Sequence, residues 1–358
     1  MCRALELAVR ARGMTYPNPM VGAVLVKNGR IIGVGYHRKV GGNHAEIEAL
    51  RAVGTRAKGA TLYVTLEPCC HVGRTGPCTA AIIKAGVKRV VCATKDPDPR
   101  VNGKGAQELR QAGIEVVSGP GARDARRLNE GYFHHHLTGQ PFVILKLAQS
   151  LDGRIATFTG DSQWISGKDA RAYAHRLRTE VGAVVIGGET ARRDDPTLTA
   201  RLVKGISPYR IVLSRSLDLD KHAHLIAENK DHKTILASTE ESIRKFNERL
   251  PHAGLIYWAI DLDADGMLSL PDFLAKAGAF GIRSVLVEGG SRLATSFLKQ
   301  GLMNKFVAVI SPKLIGKGIE AIGDLHTNNV DESIQFKDGH FETCGQDMIF
   351  SGYPKGPK

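Results

Sequence analysis

Strand signals and helix signals alternate along almost the whole chain, and that alternation restricts the fold more than any other feature. The first series opens with a β-branched run at 21–26, an Asn28-Gly29 turn pair and a returning strand at 31–36, the pattern of a hairpin. Helical spacing follows at 45–53, where Ile47, Leu50 and Val53 fall on one side. Strands at 61–66, 87–93 and 114–117 then interleave with helices at 79–85, closed by Gly86, and at 105–112, stopped by Gly113. Strands regularly separated by helices predict a layered α/β fold with a mostly parallel sheet after the first hairpin.

The pattern loosens between 119 and 141, where Gly119-Pro120-Gly121 and Thr138-Gly139-Gln140-Pro141 flank a basic helical stretch. A domain boundary belongs there, giving domains 1–140 and 141–358. The second is again an α/β series, with strands near 142–147, 183–186, 210–213, 234–237, 255–260, 285–287 and 306–310. At 358 residues each half is long enough to bury its own core. No run of 18 apolar residues exists, so no membrane partner is expected. The first residues read as an amphipathic helix rather than a signal peptide. Six scattered cysteines do not make a disulfide scaffold, and a cytoplasmic location is expected.

Charge is uneven. Residues 1–140 carry 21 Lys and Arg against 10 Asp and Glu, whereas the remainder carries 28 against 26. Such a field attracts anions, either nucleic acid or a phosphorylated small molecule.

Three pieces of the basic half carry chemistry: His44-Ala45-Glu46, Pro68-Cys69 and Cys78. A catalytic zinc site uses three His, Cys or carboxylate ligands and leaves a position open to water. His44, Cys69 and Cys78 supply that count, with Glu46 as the neighbouring proton carrier. Residues two apart do not share a face of a regular helix, so His44 must sit at the helix start. Cys78 also opens a helix, whose N-terminal dipole favours a thiolate. A lone His-x-Glu or Pro-Cys pair means little, and a structural zinc site would show four close ligands. Cys70 and His71 could complete one, but adjacent cysteines rarely both reach one metal. His-x-Glu on a helix followed by strand, Pro-Cys, loop, Cys and helix is the zinc deaminase signature.

Eight residues separate the two cysteines, in Glu67-Pro68-Cys69-Cys70-His71-Val72-Gly73-Arg74-Thr75-Gly76-Pro77-Cys78, where nucleic-acid deaminases have two. With Pro17-Asn18-Pro19-Met20-Val21-Gly22, Asp96-Pro97-Asp98-Pro99 and Gly103-Lys104-Gly105, this stretch closely resembles the deaminase half of the bifunctional riboflavin-biosynthesis deaminase/reductases. The resemblance implies a cytidine-deaminase-like three-layer domain and a phosphorylated aminopyrimidine substrate, 2,5-diamino-6-(5-phosphoribosylamino)pyrimidin-4-one, rather than nucleic acid. It also implies substrate contacts from Asn18, His37, His71 and Arg74; Asn suits a pyrimidine edge, and Arg and His suit a phosphate. Cys70 replaces a usual Ser and Gly76 a usual Pro, and relatives carry a few residues ahead of the point where this chain starts.

In the second half an apolar strand runs through Glu288-Gly289-Gly290 into a helix, and Gly187-Gly188 repeats the arrangement. Such a turn lets a phosphate approach a helix mouth, although it often merely connects elements. The stretches at 146–156, Ser162-Gln163-Trp164-Ile165 and 194–199 extend the resemblance into the reductase half of the same family. They imply a dihydrofolate-reductase-like α/β domain that uses NADPH to reduce a ribosyl group to ribityl. Matching positions imply cofactor contacts from Ala148, Trp164, Thr190, Asp194, Gly290, Ser291, Arg292, Leu293, Ala294, Thr295 and Ser296. Ser162, Arg178, Leu198, Arg201 and Glu288 match substrate contacts, with Arg178 and Arg201 suited to phosphate. Trp164 could equally be core packing and Arg178 a solvated helix residue. Ser214-Arg215 departs from the family's usual Asp-Ser/Thr. His134-His135-His136 point in different directions and read as surface or domain-interface residues. Two rivals remain, a tRNA-type nucleic-acid deaminase and a zinc-stabilised interaction module. A homo-oligomer is expected.

Overall fold

The computed structural model describes residues 1–72, 76–251 and 254–356, in two compact units, Met1–Thr138 and Gly139–Lys358. Among the described residues no helix is long and apolar enough to cross a membrane.

In the first unit α1 (Cys2–Val9) precedes a hairpin of β1 (Gly22–Lys27) and β2 (Arg30–Tyr36). There follow α2 (Ala45–Val53), β3 (Thr61–Val64), α3 (Cys78–Lys84), β4 (Arg89–Cys92), α4 (Lys104–Gln111), β5 (Glu115–Ser118), α5 (Ala122–Leu128) and α6 (Glu130–Thr138). The sheet order is β2-β1-β3-β4-β5. β1 is antiparallel to both β2 and β3, while β3, β4 and β5 are parallel. Strand side chains alternate between faces, so Ala23 and Leu25 meet α2 and α3 through Ala49, Val53 and Ile82. Val24 turns the other way, onto Ala4 and Leu7 of α1. Helices therefore cover both faces, making three layers.

The second unit contains β6 (Phe142–Ser150), β7 (Arg154–Thr157), α7 (Lys168–Glu180), β8 (Ala183–Gly187), α8 (Gly188–Asp194), β9 (Tyr209–Leu213) and α9 (His224–Ala227). It continues with β10 (Thr234–Ser238), α10 (Glu240–Arg249), β11 (Ile256–Ala259), α11 (Leu270–Ala279), β12 (Ser284–Val287), α12 (Ser291–Lys299), β13 (Lys305–Ser311), β14 (Gly318–Glu320), β15 (Phe336–Cys344) and β16 (Asp347–Pro354). The nine-stranded order is β11-β10-β9-β8-β12-β6-β13-β16-β15, parallel from β11 to β13 and antiparallel through the last hairpin. β7 and β14 pair separately. The sequence reading lacked all four of β7, β14, β15 and β16.

Central strand β12 is buried along its whole length. Its Val285 and Val287 pack with Phe273 and Phe297 on one face, and its Leu286 with Val184 and Ile186 on the other. Because β8 and β12 are parallel neighbours, their Gly-Gly turns emerge together at the carboxyl end of the sheet, where ligands of open parallel sheets bind. The β15–β16 turn brings Asp347 to the start of α7, where its Oδ2 accepts the Gly167 N–H at 2.7 Å. It thereby caps a helix whose own N-cap, Gly167, has no side chain to do so.

Candidate functional site

In the first unit His44 stands just outside α2 as its N-cap, with extended backbone (φ −70°, ψ 160°), and Glu46 lies in the first turn. That geometry lets two residues two apart converge. Gly35 makes it possible: a Cβ there would lie 2.3 Å from the Ala45 carbonyl oxygen, so only glycine lets β2 run so close to the start of α2. Cys69 follows β3 across Leu66-Glu67-Pro68, and Cys78 opens α3. His44 Nδ1 lies 3.4 Å from Cys69 Sγ and 3.3 Å from Cys78 Sγ, and the three donor atoms all fall within 4.8 Å of one another.

This donor set fits zinc by its chemistry as well as its spacing. The hydrogen bond between the thiols, with help from His44, holds Cys69 down at about 4 against its burial. The same hydrogen bond, with burial, pushes Cys78 upward. One thiolate forms readily, and a second beside it calls for a cation. Glu46 is 3 % exposed; burial first, then the charge of Cys69, raises its carboxyl to about 7. A carboxyl titrating near neutrality can both take and return a proton.

Asn18 and His37 join this site. Asn18 Nδ2 lies 3.2 Å from His37 Nε2, and His37 Nδ1 lies 2.9 Å from the Asn43 carbonyl oxygen. The His37 ring meets that of His44 edge-on at 5.6 Å. Burial lowers the His37 pKa, and a buried, neutral ring with both nitrogens engaged suits orienting Asn18 rather than meeting phosphate. His71 is half-buried, and its Nδ1 is buried with no hydrogen-bond partner among the described residues. Arg74 lies outside the described residues.

Sequence reasoning missed the brace behind Cys69. The buried Glu67 carboxylate accepts the N–H groups of Asp96 (3.2 Å), Gly103 (2.9 Å) and Ala106 (2.9 Å). Gly105 packs where a Cβ would lie 2.1 Å from the Pro68 carbonyl oxygen. Asp96 Oδ1 in turn accepts the Tyr132 hydroxyl at 2.8 Å. The only signal was adjacency: Glu67 is two residues before a metal ligand.

In the second unit Glu288, at the end of β12, receives the Arg178 guanidinium bidentately, Nε to Oε1 and Nη2 to Oε2, both at 2.9 Å. Their side chains are 12 % and 10 % exposed. Arg178 Nη1 donates to the Thr199 carbonyl at 3.1 Å. Its fork is therefore occupied by a carboxylate, and Arg178 is not a solvated helix residue. Burial would raise the Glu288 carboxyl, but Arg178 and Lys146 overcome it and hold it at about 2. Lys146, also missed, sits on β6 near this pair, its amine pushed down by burial and supported by Glu288.

Ser162 hydrogen-bonds to Asp194, whose carboxyl is raised by burial. Thr190 Oγ1 accepts the Gly290 N–H at 3.2 Å, tying α8 to the turn before α12. Trp164 is exposed rather than core, with the Arg171 guanidinium 4.5 Å from its ring centre. Ala148 is half-buried on β6. Leu198 is 2 % exposed, backbone included. Arg201 is exposed and donates to Thr197 Oγ1 at 2.5 Å.

At α12 the first-turn N–H groups of Ser291, Arg292 and Leu293 lie at the carboxyl end of the sheet without intrahelical acceptors. The Ala294 N–H already bonds the Gly290 carbonyl, and its side chain is 0 % exposed. Thr295 and Ser296 spend their hydroxyls on the Ser291 and Arg292 carbonyls. Within the 290–296 stretch, the N–H groups of residues 291–293 are therefore the ones left open to a ligand.

Two family models match. "Cytidine and deoxycytidylate deaminase zinc-binding region" covers residues 1–94, and "RibD C-terminal domain" covers residues 141–350. The "Riboflavin biosynthesis protein RibD" of Aquifex aeolicus (strain VF5) is 44% identical over 97% of this chain and 95% of its own length. That of Escherichia coli (strain K12) is 39% identical over 97% and 96%. Among solved structures, Acinetobacter baumannii RibD, form 1, superposes with a TM-score of 0.88 at 37% identity, over 99% of this chain and 98% of that one. The Thermotoga maritima diaminohydroxyphosphoribosylaminopyrimidine deaminase/5-amino-6-(5-phosphoribosylamino)uracil reductase gives 0.86 at 35% identity, over 99% and 97%.

Proposed function

Since the chain belongs to the RibD family of bifunctional riboflavin-biosynthesis deaminase/reductases, we propose that its first unit deaminates 2,5-diamino-6-(5-phosphoribosylamino)pyrimidin-4(3H)-one. The second unit then reduces the ribosyl group of the product with NADPH. The observation that carries this reading is the convergence of His44, Cys69 and Cys78 beside the buried carboxyl of Glu46.

His44, Cys69 and Cys78 would hold the zinc. Bound there, zinc acidifies a water in its open position and so supplies a nucleophile at neutral pH. Glu46 accepts the proton that this water gives up and returns it to the departing amine, so that water enters at the ring carbon and ammonia leaves. Asn18, oriented by His37, hydrogen-bonds the pyrimidine edge. His71 and Arg74, which fall between the two cysteines in sequence, bind the rest of the nucleotide.

Bound in the second unit, NADPH would supply the hydride that reduces C1′ of the ring-opened imine, with a proton going to the imine nitrogen. Gly290, Ser291, Arg292 and Leu293 offer the α12 mouth to the cofactor's phosphates, with Ala148, Trp164, Thr190 and Asp194 around it. Glu288 and Lys146 form a buried charged wall for the substrate, while Ser162, Leu198 and the exposed Arg201 contact its remainder. Six free cysteines support a reducing, cytoplasmic location. The exposed edge strand β15, with Phe341 outward, supports self-association.

A two-stage assay tests the proposal. Zinc-replete protein should release ammonia from the diaminopyrimidine nucleotide and then consume NADPH, and failure at both stages would sink it.

A further inference from the structure

One face of α7 carries the buried His175 and Thr179 and the half-buried Arg178, spaced three and four apart so that they line one side. Two of them grip the same segment. His175 Nδ1 accepts the Leu202 N–H at 3.4 Å, and Arg178 Nη1 donates to the Thr199 carbonyl at 3.1 Å. That segment, between α8 and β9, has no ladder or helix of its own. It also carries Leu198 at φ +53°, a conformation that costs a leucine energy and persists only where the surroundings impose it.

We infer that His175 is a positioning residue of the reductase, fixing the loop that presents Arg201 to the substrate. The inference rests on the reading above that Arg201 touches substrate. Accepting at Nδ1 fixes the tautomer: the proton sits on Nε2 and the ring is neutral. A protonated ring would set N–H against N–H and add a cation beside Arg178 and Arg201. Burial first, and then those two guanidinium groups, hold the His175 pKa at about 4, so the acceptor survives throughout the neutral range.

The test uses the full chain, supplied deaminated product and NADPH, with His175→Phe, His175→Asn and Arg201→Ala. His175→Phe should raise the KM for the pyrimidine by roughly 10-fold, the scale of one lost hydrogen bond, with kcat within about twofold. His175→Asn, whose Oδ1 falls near the Nδ1 position, should recover most of the loss. The Kd for NADPH and the rate of ammonia release should not move. An unchanged KM in His175→Phe, with Arg201→Ala raising it, overturns the inference alone. Equal loss in both His175 variants together with weakened NADPH binding overturns it too, since that describes a packing residue. An unchanged KM in Arg201→Ala overturns the reading beneath, and the inference with it.

Discussion

Glu46 must be buried enough to titrate near neutrality and close enough to its neighbours to exchange a proton with substrate, and α2 meets both demands by starting where it does. Glu46→Gln keeps the shape and removes the proton carrier. It should slow ammonia release by about 10²–10⁴-fold while elemental analysis finds zinc content unchanged and reduction of supplied product persists. In the second unit, Arg178→Met leaves the buried Glu288 with only Lys146 as a nearby cation. Urea unfolding should show a loss of about 3–5 kcal/mol, and adding Glu288→Leu together with Lys146→Met should restore most of it. His44, Cys69, Cys78 and Glu46 were legible because each sits at an element end that the sequence itself marks. Glu67, Lys146 and His175 were not, because a lone polar residue announces nothing until its partners are known. The partner of Arg178 was invisible for the same reason: its carboxylate lies 110 positions away.

Elements were legible where burial imposes a pattern. All strands of the first sheet and the parallel strands of the second are apolar runs bounded by turns. β15 is not. It reads Phe-Lys-Asp-Gly-His-Phe-Glu-Thr-Cys and is exposed over nearly its whole length, so no hydrophobic alternation marks it; it is held by pairing with β16. β14, at three residues, is too short to carry a period, and β7 buries only Ala156, so no apolar run marks it. The close approach of α4 to the metal loop was also invisible, since it depends on an absent side chain. Gly105→Ala would drive a methyl into the Pro68 carbonyl and shift the strand end that carries Cys69. Zinc should then be lost faster to a competing chelator, with reduction unaffected. Equal zinc retention would mean that the loop yields without moving Cys69.

For the whole molecule, charge is the property that differs between the halves. The basic excess falls within residues 1–140, and the proposed substrate is an anion. Salt shortens the screening length from about 10 Å at 0.1 M to about 3 Å at 1 M. Across that range kcat/KM for deamination should fall more steeply than kcat/KM for reduction, measured on the same preparation. Parallel declines would place the attraction in local contacts such as Arg74 and Arg201 rather than in the field of the first unit. Composition alone left nucleic acid open as a target of that field; the eight-residue gap between cysteines and the reductase half closed it.

The cap that Asp347 places on α7 has a practical side. The helix that carries Arg178 and His175 is capped by a residue from the last hairpin, 180 positions downstream of its N-cap. Anyone trimming the protein to a minimal reductase, or splicing a tag into the β15–β16 turn, edits the start of α7 from a distance. Boundaries chosen by eye along the sequence would place that cut in a stretch that looks dispensable.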